Sequence, residues 1–141
     1  MHYAMEAAQD GIWDWDIVTG EVYYSPRWAR LLGYEPEEVP QRVEFFFQVL
    51  HPDDIAVVKQ RVEDHLAGRT EVKQDEVRLR MKSGEYRWFY DRGKVVVRDE
   101  AGTPLRMVGT ITDITARKVV ESALRVSDAA LKAISQGVLI T

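Results

Sequence analysis

The sequence predicts an α+β domain with an antiparallel sheet, because strand patterns at both ends flank helical patterns in the middle. Apolar and polar residues alternate over residues 12–25 around a Thr-Gly turn, which predicts a hairpin of two strands. Helical patterns occupy residues 26–68. Three more strand patterns, over residues 77–82, 86–98 and 105–114, predict a meander joined by short Gly-containing turns.

Two helices are predicted from their first residues. Ser25 and Pro26 suit the cap and first turn of a short helix that ends at Gly33. The run His51-Pro52-Asp53-Asp54 predicts the start of the longest helix of the body, where carboxylates complement the helix dipole. The apolar stripe of that helix consists of Ile55, Val58, Val62 and Leu66. Residues 43–50 are apolar, and their periodicity leaves their structure open.

Composition narrows the classes of function. The 141 residues are 45% hydrophobic, which is enough for a packed core. A net charge of −4 disfavours a nucleic-acid binder, and the basic residues between 78 and 98 alternate with acidic ones, as on a solvated sheet face. Since no apolar run approaches a membrane span and cysteine is absent, we expect a cytoplasmic protein without membrane contact.

Residues 116–134 contain no Gly or Pro and predict one continuous linker helix. Its apolar residues step by four and three, with Ser127 on the same seam, as in a helix that pairs with another helix. The seam consists of Val120, Leu124, Leu131 and Ile134. We therefore expect a coiled-coil-like contact between two copies of this helix in a homodimer.

The two ends of the chain share a pattern. A shift of 126 positions lays residues 130–134 over residues 4–8, and Gly137 then falls on Gly11. The shared order of helix, Gly and apolar strand predicts that a second copy of the domain begins near residue 135. The expected organisation is an N-terminal cap helix at 1–10, the main domain at 11–115, the linker at 116–134 and the truncated second copy at 135–141.

Six short motifs follow one another along the body. They are Asp10–Asp16, Tyr24–Pro26, Leu32–Tyr34, His51–Asp54, Gly84–Trp88 and Gly109–Thr115. In this order they resemble the PAS family, in its subgroup with a C-terminal PAC motif. The resemblance covers residues 4–117, and the order of the motifs makes it specific.

This resemblance implies a five-stranded antiparallel sheet with helices packed on one face around a small cavity. It also implies a sensory module of a larger signalling protein, of histidine kinase or diguanylate cyclase type, with an effector domain in the same chain. In this family the triplet Asp113-Ile114-Thr115 ends the sheet and passes the signal to the linker. Thr115 suits a helix cap, and Asp113 suits a bond to the main chain or a pair with Arg117.

The pocket for a small-molecule ligand is expected between one sheet face and the long helix. Tyr90, Met107 and Gly109 mark that sheet face. An inward core cluster is expected on the same face, consisting of Trp13, Trp28, Leu79, Trp88 and Ile111. The full set of pocket candidates is Trp13, Tyr24, Trp28, Leu32, Val58, Val62, Leu79, Trp88, Tyr90, Met107, Gly109 and Ile111.

Residue types constrain the cofactor chemistry. Without cysteine, a flavin–thiol photocycle and a thioester-linked chromophore are both excluded. His65 lies on the helix that carries the haem ligand in haem-binding relatives, but a last-turn position also suits the helix dipole. His51, Asp53 and Asp54 allow two interpretations, a metal site or a helix start, and the helix start accounts for all three. We expect no metal and no bound flavin or haem, with the aromatic residues forming core.

Two functions from different classes remain. The first is a sensory and dimerisation module that relays the state of a ligand or partner. The second is a small-ligand or flavin-binding carrier, or an enzyme, on the same body. The sequence contains no P-loop, nucleophile elbow or HExxH motif. The linker seam and the repeat favour the module, so we expect no catalysis by this chain.

Overall fold

A computed structural model describes the backbone of residues 9–135 and the side chains of residues 9–133. In chain order the elements are β1 (Gly11–Asp16), β2 (Val22–Tyr24), α1 (Pro26–Leu31), a short 3₁₀ helix (Pro36–Glu38), α2 (Val43–Val49), α3 (Pro52–Leu66), β3 (Lys73–Arg80), β4 (Tyr86–Arg98), β5 (Pro104–Asp113) and α4 (Thr115–Ser135). The expected cap helix and the expected second copy lie outside the described residues, apart from Gln9, Asp10 and Ser135.

The five strands form one antiparallel sheet in the order β2-β1-β5-β4-β3, which confirms the predicted fold class. Strand β1 pairs with both β2 and β5, so the N-terminal hairpin joins the C-terminal meander. Strand β3 begins at Lys73 rather than at the predicted residue 77. Its first half is entirely polar, from Lys73 to Glu76, and therefore lacks the apolar alternation that predicts a strand.

The helices begin where their capping residues place them. Ser25 Oγ accepts the N–H groups of Ile12 at 2.9 Å and of Trp28 at 3.2 Å, so one hydroxyl fixes α1 against β1. The Nδ1 atom of His51 accepts the N–H of Asp53 at 3.0 Å and caps α3. Residues 43–50, whose secondary structure the periodicity left undecided, form the short helix α2 and its C-terminal cap.

Alternate residues of the strands face the helices and form the core. The fully buried residues of this core come from both the sheet and the helices. They are Leu79, Phe89 and Ile111 of the strands, Trp28 and Leu32 of α1 and its cap, and Val58 of α3. Because side chains alternate along a strand, Asp91 and Gly93 share the inner face with Phe89. The inner face of β4 is therefore apolar only in part.

The predicted inward position of Trp88 and Tyr90 is wrong. The pairing of Phe89 with Val77 and of Asp91 with Ile111 turns the odd-numbered residues of β4 inward. Trp88 and Tyr90 are half-buried on the outer face. Three consecutive aromatic residues make the two registers equally apolar in the sequence, so only the pairing with β3 and β5 decides between them.

Helix α4 leaves the sheet at Thr115 and runs as one helix to Ser135. Residues 119–129 are all exposed, so the helix projects from the body. No helix within residues 9–135 is long and apolar enough to cross a bilayer.

Trp88 and Phe89, which are neighbours on β4, provide a test of which residues of this strand point inward. We expect Phe89→Ala to lower the free energy of unfolding by about 3–5 kcal/mol, because it leaves a cavity in the core. Trp88→Ala removes a half-buried ring held by cations and should lower it by only about 1–2 kcal/mol. Urea denaturation of the two variants measures both losses. A larger loss for Trp88→Ala would contradict the observed register.

Candidate functional site

A cavity of about 50 Å³ lies between the inner sheet face and the helices. Six aromatic rings dominate its wall, those of Trp13, Trp15, Tyr24, Trp28, Phe46 and Phe47. The Tyr24 and Trp28 rings pack with their centroids 4.2 Å apart. The Tyr24 hydroxyl donates to the carbonyl of Arg42 at 2.8 Å, which ties the wall to the start of α2.

Two glycines make room for the Trp13 ring. Trp13 pairs with Gly109 on β5, and Gly109 pairs with Gly93 on β4, so the three residues lie in one row across the sheet. A Cβ atom at either glycine would overlap the indole ring of Trp13. The ring therefore lies over β5 and the next strand, β4, an approach that only glycine permits.

The floor of the cavity carries a buried ion cluster, Lys73 with Asp75 and Asp91. The Lys73 Nζ atom lies 2.9 Å from Asp75 Oδ1 and pairs closely with Asp91 Oδ2. Their exposed fractions are 3%, 7% and 2%, respectively. The Asp91 carboxylate also accepts the indole N–H of Trp13 at 2.9 Å. A charge at this depth requires such partners, because it has lost its hydration.

Burial and charge act in opposite directions on Lys73. Burial by itself lowers the pKa of Lys73, but the charges of Asp91 and Asp75 outweigh it and hold the pKa above its ordinary value. Burial also raises the pKa of Asp75, and the charge of Lys73 offsets this only in part. Lys73 is therefore a cation at neutral pH, fixed between two carboxylates.

The structure brings part of the predicted pocket together. Trp13, Tyr24, Trp28, Val62 and Met107 line the cavity, and Gly109 lies under the Trp13 ring. Four other candidates pack in the surrounding core, namely Leu32, Val58, Leu79 and Ile111. Trp88 and Tyr90 lie on the opposite sheet face, as corrected above.

Sequence reasoning missed the ion cluster and two of the rings, those of Phe46 and Phe47. Lys73 and Asp75 alternate with other polar residues, so nothing in the local pattern separates the inward from the outward ones. One signal was present. Lys73 and Asp75 precede Val77 and Leu79 at steps of two, which places all four on one face once the strand is extended backwards.

On the outer face, the main chain of Trp88 holds the first turn of α4. Thr115 Oγ1 accepts the N–H of Trp88 at 3.0 Å, and the N–H of Ile114 donates to the carbonyl of Trp88 at 2.9 Å. Asp113 Oδ1 accepts the N–H of Thr115 at 2.9 Å. The Thr115 side chain thus binds β4, and Asp113 satisfies the amide at the helix start.

Arg117 and Asp113 do not pair with each other, contrary to one of the two predicted options. Asp113 Oδ2 lies 3.1 Å from Arg87 Nε, whereas Arg117 and Lys118 both pair with Glu76 of β3. Asp113 is already occupied by Thr115 and Arg87, which leaves Arg117 to reach across to the edge strand.

The Trp88 ring lies among cations from two elements. The Arg78 guanidinium is 5.1 Å from the ring centroid and the Lys118 ammonium is 4.7 Å from it. Arg78 in turn binds both carboxylate oxygens of Asp54, in the first turn of α3. Burial raises the pKa of Asp54, but the bonds from Arg78 outweigh it and hold that pKa below its ordinary value. The contacts thus run from α3 through β3 and β4 to α4.

A family model for the PAS fold matches residues 21–111, which is more than half of the chain. The chain belongs to the PAS fold family. A crystal structure of a sensory box histidine kinase/response regulator from Burkholderia thailandensis is 42% identical in sequence to this PAS domain. It superposes with a TM-score of 0.78, over 89% of this chain and 92% of that one.

Two further relatives belong to signalling proteins. The N-terminal domain of a diguanylate cyclase with PAS/PAC sensor from Marinobacter aquaeolei is 26% identical and has a TM-score of 0.68, over 77% of this chain and 98% of that one. A blue-light-activated histidine kinase from Brucella anthropi is 27% identical over 122 residues, or 86% of this chain. The PAS domain spans only 24% of that kinase's length.

The cavity does not fit a flavin or a haem in this conformation. Its volume of about 50 Å³ is well below the roughly 300–1,000 Å³ of pockets that hold large ligands. Both ring nitrogens of His65 are engaged, because Nε2 accepts the N–H of Val95 at 2.9 Å and Nδ1 lies 2.9 Å from the carbonyl of Thr70. His65 therefore pins the end of α3 to β4, and haem ligation would break one of these bonds.

His51, Asp53 and Asp54 do not converge. His51 caps α3, and the Asp54 carboxylate binds Arg78. Within the described part of the chain, no three His, Asp or Glu side chains are placed to hold a metal ion.

Removing the buried cation tests the ion cluster. We expect Lys73→Met to lower the free energy of unfolding at pH 7 by about 3–5 kcal/mol, since two buried carboxylates lose their partner. The exposed Lys94→Met is the matched control and should change stability by less than about 0.5 kcal/mol.

The difference in stability between the wild type and Lys73→Met should also depend on pH. Because folding raises the pKa of Lys73 above its ordinary value of 10.5, the stabilisation is complete below that pH and is lost as the pH rises beyond it. The difference between the wild type and Lys73→Met should therefore narrow above pH 10.5 in urea denaturation. A constant difference from pH 7 to 11.5 would show that folding does not raise the pKa of Lys73.

Proposed function

We propose that this PAS domain is the sensory and dimerisation module of a larger signalling protein of histidine kinase or diguanylate cyclase type. It takes up a small molecule in its cavity and passes the result through Asp113-Ile114-Thr115 to α4, without catalysis of its own. The observation that carries the proposal is the double attachment of β4, whose inner face meets the cavity and whose outer face holds α4.

Two residues three positions apart on one strand supply the coupling. Asp91 lines the cavity, and Trp88 holds Thr115 and Ile114 through its main chain. A strand is stiff along its length, so a shift of β4 at the cavity displaces the first turn of α4 as well. The ion pair of Arg87 with Asp113 reinforces the same junction.

The exposed apolar face of α4 supports a second copy as its partner. Val119, Val120, Leu124, Val126 and Leu131 are each more than half exposed. At 100° per residue these side chains lie on one broad face, with Ser127 near its centre, while Glu121, Arg125 and Lys132 lie on the other. An isolated helix of this length is marginal in water, so the face requires a partner. The α4 helix of a second copy offers the same apolar face, so the two faces can cover each other without burying charge.

A charge on the apolar face should disrupt the dimer. We expect Leu124→Glu to shift the protein from dimer to monomer in sedimentation equilibrium, by at least about tenfold in dissociation constant. Ala129→Glu places the same charge on the opposite face of α4 and should leave the dimer intact. Both sites are exposed, so the fold should be unaffected.

Two results would contradict a dimer formed through this face. If the wild-type chain sediments as a monomer, or if Ala129→Glu dissociates it as strongly as Leu124→Glu, the apolar face is not the contact between copies.

The junction of α4 with β4 predicts a local effect. Thr115→Val removes the hydroxyl that binds Trp88, so the first turn of α4 should open more often. Hydrogen exchange of the amides of Lys118 and Val119, the first that are bonded within the helix, should rise by about tenfold or more. Ser122→Ala, an exposed hydroxyl on the same helix, is the control and should leave this exchange unchanged. Unchanged exchange in Thr115→Val would remove the clamp from the proposed relay.

A further inference from the structure

The cavity between the inner sheet face and the helices is bordered almost entirely by hydrocarbon. Besides six aromatic rings, its wall consists of the side chains of Val22, Val43, Val62 and Met107. Lys73 and Asp91 also border it, but their charged atoms bind each other, Asp75 and the Trp13 indole. The ion cluster therefore satisfies its own charges, and the surface that it leaves to the cavity is apolar.

Among the described residues, the polar groups of the wall are either bonded already or closed off from the cavity. The Tyr24 hydroxyl donates to a main-chain carbonyl, and the Trp13 indole donates to Asp91. The indole nitrogens of Trp15 and Trp28 have almost no accessible surface and do not open on the cavity. A buried water molecule needs about two to four polar partners, so water is a poor occupant of this space.

The size of the cavity sets a second limit. Its volume of about 50 Å³ is a third of the roughly 150 Å³ that holds benzene, which restricts a ligand to a few non-hydrogen atoms. The wall is closely packed, because the Trp13 ring lies directly on two glycines and the Tyr24 and Trp28 ring centroids are 4.2 Å apart. A packed interior resists expansion, so the cavity selects by size as well as by polarity.

We propose that the cavity binds a small, uncharged and wholly apolar molecule of a few non-hydrogen atoms. The molecule is held by its transfer out of water and by dispersion contacts with the rings, without a hydrogen bond. The inference rests on the proposed function, since it names the chemical class of the molecule sensed. A charged or hydrogen-bonding molecule of the same size would lose its hydration and gain no partner in return, so the cavity excludes it.

Three probes of nearly the same size and shape separate the chemical classes. Isobutene is apolar, acetone is a neutral hydrogen-bond acceptor and acetate is an anion. Each is titrated into the ¹⁵N- and methyl-¹³C-labelled full chain while the methyl resonances of Val62 and Met107 are followed. We expect saturable shifts with isobutene, and dissociation constants at least about tenfold weaker for acetone and acetate. The methyl groups of Val57, exposed on the same helix, are the reference and should not shift.

Two changes at Val62 alter the volume of the cavity in opposite directions. Val62→Phe fills it and should weaken the binding of isobutene at least about tenfold. Val62→Ala enlarges it and should raise the affinity for 2-methyl-2-butene, which is larger by a methyl group, several-fold relative to isobutene. Val57→Phe adds the same ring at an exposed position of α3 and is the matched control, which should bind isobutene as the wild type does. Val62→Ala remains informative if Val62→Phe fails to fold.

The other results separate this inference from the proposed function. Equal or tighter binding of acetone or acetate would overturn the inference and leave the uptake of a small molecule intact. Unchanged binding of isobutene in Val62→Phe would place the binding site outside the cavity and overturn the inference as well. The amide resonances of Ile114 and Thr115 are followed in the same titrations, and binding of isobutene without a shift there would support the inference but contradict the relay. No saturable shift with any probe would contradict both the inference and the small-molecule part of the proposed function.

Discussion

The pairing of Lys73 with Asp75 and Asp91 is the constraint on which the inner half of the structure depends. A buried charge needs a partner in a fixed place, so these three residues fix the register of β3 against β4. Asp91 also holds the Trp13 indole, whose ring covers Gly93 and so reaches across to β4. One polar cluster thereby positions the inner strand β4, the edge strand β3 and one indole ring of the cavity wall.

The cluster also fixes one wall of the cavity. Trp13 is held at its nitrogen by Asp91, and it lies flat because Gly93 and Gly109 leave no side chains beneath it. The position of this ring on the cavity wall is therefore set from its nitrogen and from the strands beneath it. The glycines and the carboxylate act together, because a side chain at Gly93 or Gly109, or the loss of the Asp91 carboxylate, would move the Trp13 ring.

Local chemistry made part of this molecule predictable. The caps at Ser25 and His51 depend on neighbouring residues, and the sequence places both helix starts correctly. Which residues of β4 point inward depends on partners that are distant in the sequence, namely Val77 for Phe89 and Ile111 for Asp91. The run Trp88-Phe89-Tyr90 by itself therefore left the inward face undecided. The cluster was missed for a related reason. From the sequence, Lys73, Asp75 and Asp91 look like surface residues. Only the pairing of β3 with β4 brings them together in the interior.

Trp88 is where two routes from the cavity meet. One runs along β4, because the main chain of Trp88 binds Ile114 and Thr115. The other runs along α3, which touches the cavity at Val62 and holds Arg78 through Asp54 at its start. Arg78 lies against the Trp88 ring, and Lys118 of α4 lies against the same ring. The contacts of the sheet and of α3 with α4 therefore converge on one residue, Trp88.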